Sequence, residues 1–422
     1  LKRLFNSEAL QSLRVRDFRL YWTGNTLSRL GNEMQIVALA WQVYLLTGEP
    51  LSLGLLGLVR AGPVMLFTIF GGVLADSMSR RRLLIITSSA LMLTSALLAV
   101  LTISGVVTIW MLYVLTFLAA IAESVDGPAH AAVIPSLVPR EMLLNGLGIN
   151  NLSWSMAGII GPALGGLVIG WFGAGVAFAI DAASFLAVIW VFISVRRPLF
   201  APELSAEERS LKGNLRRIRQ GFSFLYLHPI LLGLSLVDFF AVLFGASLTL
   251  LPVFAKDVLK VGPEGLGLLA AAPAVGAVAG AMGVTFLRRP RFPGQVVLVA
   301  IFFYGLCVAG FGLSTVFWLS WLFLAGTGVS DTVSMTMRQT IRQLLTPEEM
   351  RGRISGVSFF FAVSGNQLGD FEAGVAAQLI GAQPAVALGG LACALMVVGV
   401  GTLYPRIRKF TEKTEVALPV AD

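Results

Sequence analysis

The chain has 422 residues, 56% of them hydrophobic and only 13% charged, with a mean hydropathy of +0.82 and a formal net charge of +8. That much apolar surface has no place to hide in a water-soluble domain, so a soluble globular protein is excluded and an integral membrane protein is expected. The positive balance does not point to nucleic acid, because the basic residues cluster at the ends of apolar runs.

Hydropathy predicts twelve helices near 19–46, 51–76, 82–104, 107–132, 142–171, 174–196, 229–254, 264–288, 294–313, 316–343, 352–380 and 385–404. Each is long enough to cross about 30 Å of hydrocarbon. The residues before the first span contain no apolar core or cleavage site, so a cytoplasmic amphipathic lead-in is expected. The first span holds the stretch LSRLGNEMQ, Leu27–Gln35. Asn25, Arg29 and Glu33 recur every four residues, with Asn32 one turn from Ser28 and Arg29, so one face of this helix is polar. An ionisable group inside a membrane costs roughly 2.5–3.5 kcal/mol on insertion scales. The stripe must therefore face the protein interior. It either forms a local Arg29–Glu33 pair or lines a transport cavity in which Arg60 of the second span competes for Glu33.

After the second span comes GGVLADSMSRRRLL, Gly71–Leu84, a short basic loop following a carboxylate at a helix end. The fourth span carries Glu123 and Asp126, three apart on one face, and a lone histidine, His130, read as structural. In the fifth, AGIIGPALGG places Gly161, Gly165 and Gly166 around Pro162, a pattern that permits close helix approach or a packing gate. Asp181 and Asp238 are the weakest candidates for a role in coupling. The tenth span contains Asp331, and the eleventh contains SGNQLGDFEAG, Ser364–Gly374, in which Asp370 and Glu372 cannot point the same way on a regular helix.

Eight carboxylates in the predicted spans, Glu33, Glu123, Asp126, Asp181, Asp238, Asp331, Asp370 and Glu372, stand against two arginines read as clearly embedded, Arg29 and Arg60, so most of these acids are expected to lack a basic partner. A carboxylate without a partner in low dielectric is easier to accommodate protonated, which is what a proton carrier requires. Glu33, Glu123, Asp126, Asp331, Asp370 and Glu372 are the coupling candidates. Asn25, Arg29, Asn32, Arg60, Asp238 and Asn366 are the cavity candidates. Cys307 and Cys393 lie in apolar spans and read as small buried hydrophobes, with no disulfide or metal framework.

Residues 196–220 form the one long polar interior stretch, dividing six spans from six. The expected domains are 1–195, a cytoplasmic linker 196–228, a second bundle 229–405 and a cytoplasmic tail 406–422. With both termini inside, 27 of the 31 Lys and Arg residues fall on the inner side, as the positive-inside rule requires. The halves repeat. An offset of 208 lays VPREMLLNGLG from Val138 on TPEEMRGRISG from Thr346, Gly161 on Gly369, Gly166 on Gly374 and Glu123 on Asp331. An offset of 213 lays LGLL from Leu53 on LGLL from Leu266, and Asn25 on Asp238. Two similar bundles hinged about a midplane site are what a rocking transporter needs.

The loop after the second span resembles the signature of the major facilitator superfamily, with Gly72, Asp76, Arg80 and Arg81 at the matching places and Ser79 where a glycine is usual. AGIIGPALGG resembles the glycine–proline motif of facilitator antiporters, with Ala157 departing from it. SGNQLGDFEAG in the eleventh span and TPEEMRGRISG after the tenth resemble the branch of enterobactin exporters and macrolide efflux proteins. That resemblance implies an all-α membrane protein of two pseudo-symmetric six-helix bundles, a conformational latch at Gly72, Asp76, Arg80 and Arg81, and export of bulky amphipathic compounds driven by protons. The arginine that many drug–proton antiporters carry in the fourth span is missing here. A lipid or lysolipid carrier of the same fold and a non-transporting receptor or assembly subunit are the alternatives. A monomer in a bacterial-type inner membrane is expected, with no cofactor, no nucleic-acid partner and no enzymatic site, since neither a phosphate loop nor a nucleophile–base set occurs.

Overall fold

The computed structural model describes residues 8–77, 79–131, 133–196, 211–286 and 290–411, and the regular structure among them is helical. In the first half the long helices are α1 (Arg16–Thr47), α2 (Pro50–Ser77), α3 (Arg80–Ile103), α4 (Ile109–Ala131), α5 (Leu143–Phe172) and α6 (Ala174–Ser194). There follow α7 (Leu211–Leu227), α8 (Pro229–Phe244), α9 (Gly262–Phe286), α10 (Pro293–Leu313), α11 (Phe317–Leu345), α12 (Arg351–Ile380) and α13 (Ala382–Leu403). Eight segments among the described residues are long and apolar enough to cross a membrane. α1, α11 and α12 are not among them, and these are the helices into which the sequence places polar side chains.

The repeat is written into the backbone. α12 begins and ends 208 residues after α5, and each follows a 3-10 turn entered from a proline, Pro139 before Arg140–Met142 and Pro347 before Glu348–Met350. Each ends at a glycine in a conformation other residues resist, Gly173 at φ 85° and Gly381 at φ 91°. α4 and α11 start 208 apart, and α3 and α10 start 213 apart. Trp110 and Trp318, equivalent by the same offset and both at least 70% exposed, stand in the first turns of α4 and α11. Amphipathic rings at helix ends are the usual membrane-interface anchors.

Contacts divide the chain into two units, residues 1–48, 59–214 and 261–271 in one and 49–58, 215–260 and 272–422 in the other. Small residues explain why the first turns of α2 and α9 each join the unit formed mainly by the other half of the sequence. In the second unit, a Cβ on Gly374 of α12 would stand 2.7 Å from the Cα of Gly54 on α2. In the first unit, a Cβ on Gly166 of α5 would stand 2.8 Å from the Cα of Gly267 on α9. The two crossings are repeat equivalents, and both depend on backbones meeting without side chains between them.

One expectation needs correction. The seventh span is not continuous. α8 stops at Phe244, a 3-10 turn covers Leu248–Leu250, and a wider π-type turn covers Phe254–Val258. Gly245 gives its carbonyl to the Tyr304 hydroxyl at 3.1 Å, and Pro252 supplies no N–H, so the regular ladder breaks here. The second half of the polar interior stretch is also ordered. It forms the amphipathic helix α7, whose Leu225 is buried with Leu231 of α8 and Val357 of α12.

Candidate functional site

In the first unit the stripe on α1 forms as the four-residue spacing demands, and its internal bond is not the Arg29–Glu33 pair that the sequence leaves as one of two alternatives. With its amide oxygen turned toward Arg29, Asn25 accepts from Nη2 at 3.2 Å and Nε at 3.3 Å. The guanidinium also reaches the carbonyl of Asn150 on α5 at 3.5 Å and lies 4.2 Å from the centre of the Trp154 ring, a cation–π geometry. Arg29 is thus held by neutral groups. Glu33 makes no hydrogen bond or ion pair among the described residues, and its stem packs where a Cβ on Gly161 of α5 would come within 2.5 Å. Gly161 and Gly165 therefore serve the approach of α5 to α1, and Gly166 serves the approach to α9. Pro162 lies inside α5 one residue after Gly161. Asn32 and Asn150 each keep a buried amide oxygen without a protein partner.

Arg60 of α2 donates to Glu123 of α4 at 3.1 Å, with both side chains a little under one-third exposed. Three residues on, Asp126 accepts from Thr87 of α3 at 2.5 Å and lies 3.3 Å from Nε2 of His130. The other ring nitrogen of His130 meets the Tyr21 hydroxyl of α1 at 3.1 Å. A polar chain, Tyr21–His130–Asp126–Thr87, therefore ties α1, α4 and α3 together inside a cluster of apolar side chains that includes Phe18, Leu84 and Phe192. Asp181 of α6 is fully buried and accepts from Ser95 at 2.7 Å, and Ser95 accepts in turn from Gln35 of α1 at 3.0 Å.

The second unit holds a more highly charged cluster. Arg338 of α11, 6% exposed at its side chain, lies 2.5 Å from Asp238 of α8 and 3.7 Å from Asp331, two turns earlier on its own helix. Asp238 is nearly buried, whereas the side chain of Asp331 is 57% exposed. Asp370 of α12 accepts from the Thr249 hydroxyl and faces Gly57 of α2, where a Cβ would come within 2.6 Å. Glu372 and Asn366 are exposed. The carboxylates of α12 thus diverge as the two-residue spacing requires.

The expectation that most acids lack a basic partner is overturned. Glu123, Asp126, Asp238 and Asp331 each have one, because Arg338 belongs to the buried body of α11 and not to the loop after it, and because His130 joins Asp126. Arg338 and Arg342 lie within α11, so two of the 27 basic residues counted toward the inner side belong to a helix and not to a loop. Of the expected latch, Arg81 donates to the carbonyl of Val195 and Arg80 opens α3. Gly72 and Asp76 lie on α2, and their surroundings are outside the described residues.

Over residues 7–419 the chain matches the family described as transmembrane secretion effectors. It belongs to that family of the major facilitator superfamily. It is 26% identical over 352 residues to the enterobactin exporter EntS of Escherichia coli O81 (strain ED1a), covering 83% of each chain, and equally so to EntS of strain HS (O9:H4). Solved structures share the fold. A bacterial homologue of the human lysosomal transporter Spinster superposes with TM-score 0.71 at 16% identity, over 97% of this chain and 99% of that one. The nucleoside transporter NupG gives 0.77 at 12% identity, over 92% and 100%. A bacterial homologue of the iron transporter ferroportin gives 0.70 at 15% identity, over 94% and 99%. The chain is therefore an all-helical, multi-pass membrane transporter with the facilitator fold.

Within that fold the residue that sequence reasoning missed is Arg338. A signal for it was present, because the offset that pairs Glu123 with Asp331 also pairs His130 with Arg338. The polar residues of the fourth and tenth predicted spans are one pattern used twice, with histidine in the first copy and arginine in the second. Trp154, Asn150 and Tyr21 carried no such signal, since nothing in their spacing separates a partner of Arg29 or His130 from an ordinary packing residue.

Proposed function

We propose that this facilitator is a secondary active exporter of bulky amphipathic small molecules, siderophore-like or drug-like, working by alternating access with proton antiport. The export and the substrate class rest on its likeness to the enterobactin exporters. The coupling rests on one observation, the sharing of Arg338 between a buried and a half-exposed aspartate. Arg338 stays charged throughout, so protonating one aspartate hands the guanidinium to the other. That exchange links a proton reaching Asp331 to the packing of α8 on α11. In the first half Arg60–Glu123 is a second candidate for coupling, while Asn25, Arg29 and Asn32 with the Trp154 ring contribute to substrate contact.

The protein works as a monomer in a bacterial-type inner membrane, with both termini and the 196–228 linker inside and Lys256 and Lys260 outside. Gly72, Asp76, Arg80 and Arg81 act as the latch between states. A static receptor or assembly subunit has no use for a buried charge pair that costs desolvation.

The test is uptake into inverted vesicles under an imposed pH gradient, over a panel of siderophore-like, drug-like and lysolipid substrates. Gradient-dependent accumulation of at least one non-lipid amphipath, lost in Asp331→Asn, is expected. Accumulation of lysolipids alone would move the protein to the lipid-carrier reading, and gradient-independent flux would remove the antiport. Cysteine labelling from outside should reach positions near Lys260 and not the 209–219 segment.

A further inference from the structure

Between α10 and α11 the second unit carries a groove of about 690 Å³. None of Asp238, Asp331 and Arg338 lines it, so it is separate from the charge cluster. Its walls are apolar, with Val299 and Phe303 of α10 more than half exposed. At its far end stands Cys307, which corrects the reading of that cysteine as a buried hydrophobe, since its side chain is partly exposed. Gly326 of α11 leaves the space there open, because a Cβ at that position would stand 2.7 Å from the Cys307 sulfur. At the other end lie Gln295 and the exposed Arg291. The Arg291 guanidinium is 5.4 Å from the centre of the Phe292 ring and has no carboxylate partner among the described residues.

Length and charge together identify an occupant. From Gln295 to Cys307 α10 rises about 18 Å at 1.5 Å per residue, close to the depth of one leaflet of a hydrocarbon core about 30 Å thick. Pro290, Arg291 and Phe292 line the mouth, and a basic mouth between membrane helices suits an anionic headgroup. We propose that this groove is a binding site for an anionic phospholipid, with one acyl chain laid along α10 as far as Cys307 and the headgroup phosphate on Arg291. A zwitterionic lipid would bring its ammonium group toward the same Arg291 guanidinium and is disfavoured.

Cys307 provides the readout, because the second cysteine, Cys393, is fully buried. The full chain is reconstituted in vesicles of phosphatidylcholine alone or mixed with phosphatidylglycerol, and maleimide alkylation of Cys307 is followed by mass spectrometry of the protein. Alkylation should be several-fold slower with phosphatidylglycerol present, and native mass spectra should retain phosphatidylglycerol over phosphatidylcholine. Arg291→Gln should abolish both preferences. Val299→Trp, at a lipid-facing position that does not disturb the core, should displace the lipid from the groove and abolish the retention. Equal alkylation and equal retention in the two lipid compositions would overturn the proposal, as would a preference that survives Arg291→Gln. Protection by an added drug-like anion but not by phosphatidylglycerol would also overturn it and give the groove to a transported molecule.

Discussion

α4 and α11 occupy equivalent places in the two halves and carry their polar residues at equivalent positions, yet they hold them by different physics. On α11 a permanently charged arginine is buried, so it demands an ionised partner and finds Asp238 at 2.5 Å and Asp331 at 3.7 Å. On α4 the equivalent position is His130, whose two ring nitrogens meet the Tyr21 hydroxyl and Asp126. A buried hydrogen-bonded chain of this kind fixes one arrangement of its helices. A guanidinium shared by two acids of unequal exposure has two arrangements available. On the proposed mechanism the contact that moves is the shared one in the second half, and the hydrogen-bonded chain of the first half stays fixed.

Arg338→Met should do the most damage, because it leaves Asp238 nearly buried without its partner. A loss of about 3–5 kcal/mol in stability is expected for such a broken pair, read as a large fall in the unfolding temperature in detergent. The double variant Arg338→Met with Asp238→Leu should recover most of that stability while gradient-driven transport stays lost. Recovery of transport in the double variant would show that the pair is architecture alone.

Asp331→Asn comes next in effect on transport but not on stability. Its side chain is 57% exposed and its contact with Arg338 is long, so no more than about 1 kcal/mol should be lost while pumping against a gradient stops. Unaltered pumping would dissolve the proposed exchange. His130→Gln tests the fixed half of the comparison, since an amide can bridge Tyr21 and Asp126 without taking up a proton. It should cost about 1 kcal/mol and leave transport running. Abolished coupling would instead make the first half the one that titrates. Glu372→Gln should have the smallest effect, within about 0.5 kcal/mol in stability and with transport retained, because Glu372 is exposed.

Much of this was legible beforehand. The polar face of α1 follows from a four-residue spacing that no membrane helix could turn toward lipid, and the divergence of Asp370 from Glu372 follows from the geometry of one helix. The repeat offsets placed Gly166 opposite Gly374 as equivalents. They could not say that Gly166 meets Gly267 and Gly374 meets Gly54, because a glycine's neighbour on another helix leaves no trace in its own sequence. Cys307 reads like any apolar-span cysteine, and only the missing side chain at Gly326, brought beside it by the packing of α11 on α10, opens the groove.

The sequence by itself determined the properties that depend on spacing along one chain. These are the membrane-crossing class, the repeat at offsets of 208 and 213, the polar face of α1 and the roster of acids within the apolar spans. The tertiary structure alone decided who pairs with whom. Asn25 took Arg29, Glu123 took Arg60, His130 bridged Tyr21 and Asp126, and Arg338 passed from the loop count into the core. The physical reason is that the shortest ion pairs here are made across helices, Arg338 to Asp238 at 2.5 Å and Arg60 to Glu123 at 3.1 Å, between residues that can be a hundred positions apart. The period of a helix fixes which face a charge lies on, and only the packing of neighbouring helices fixes what that face meets.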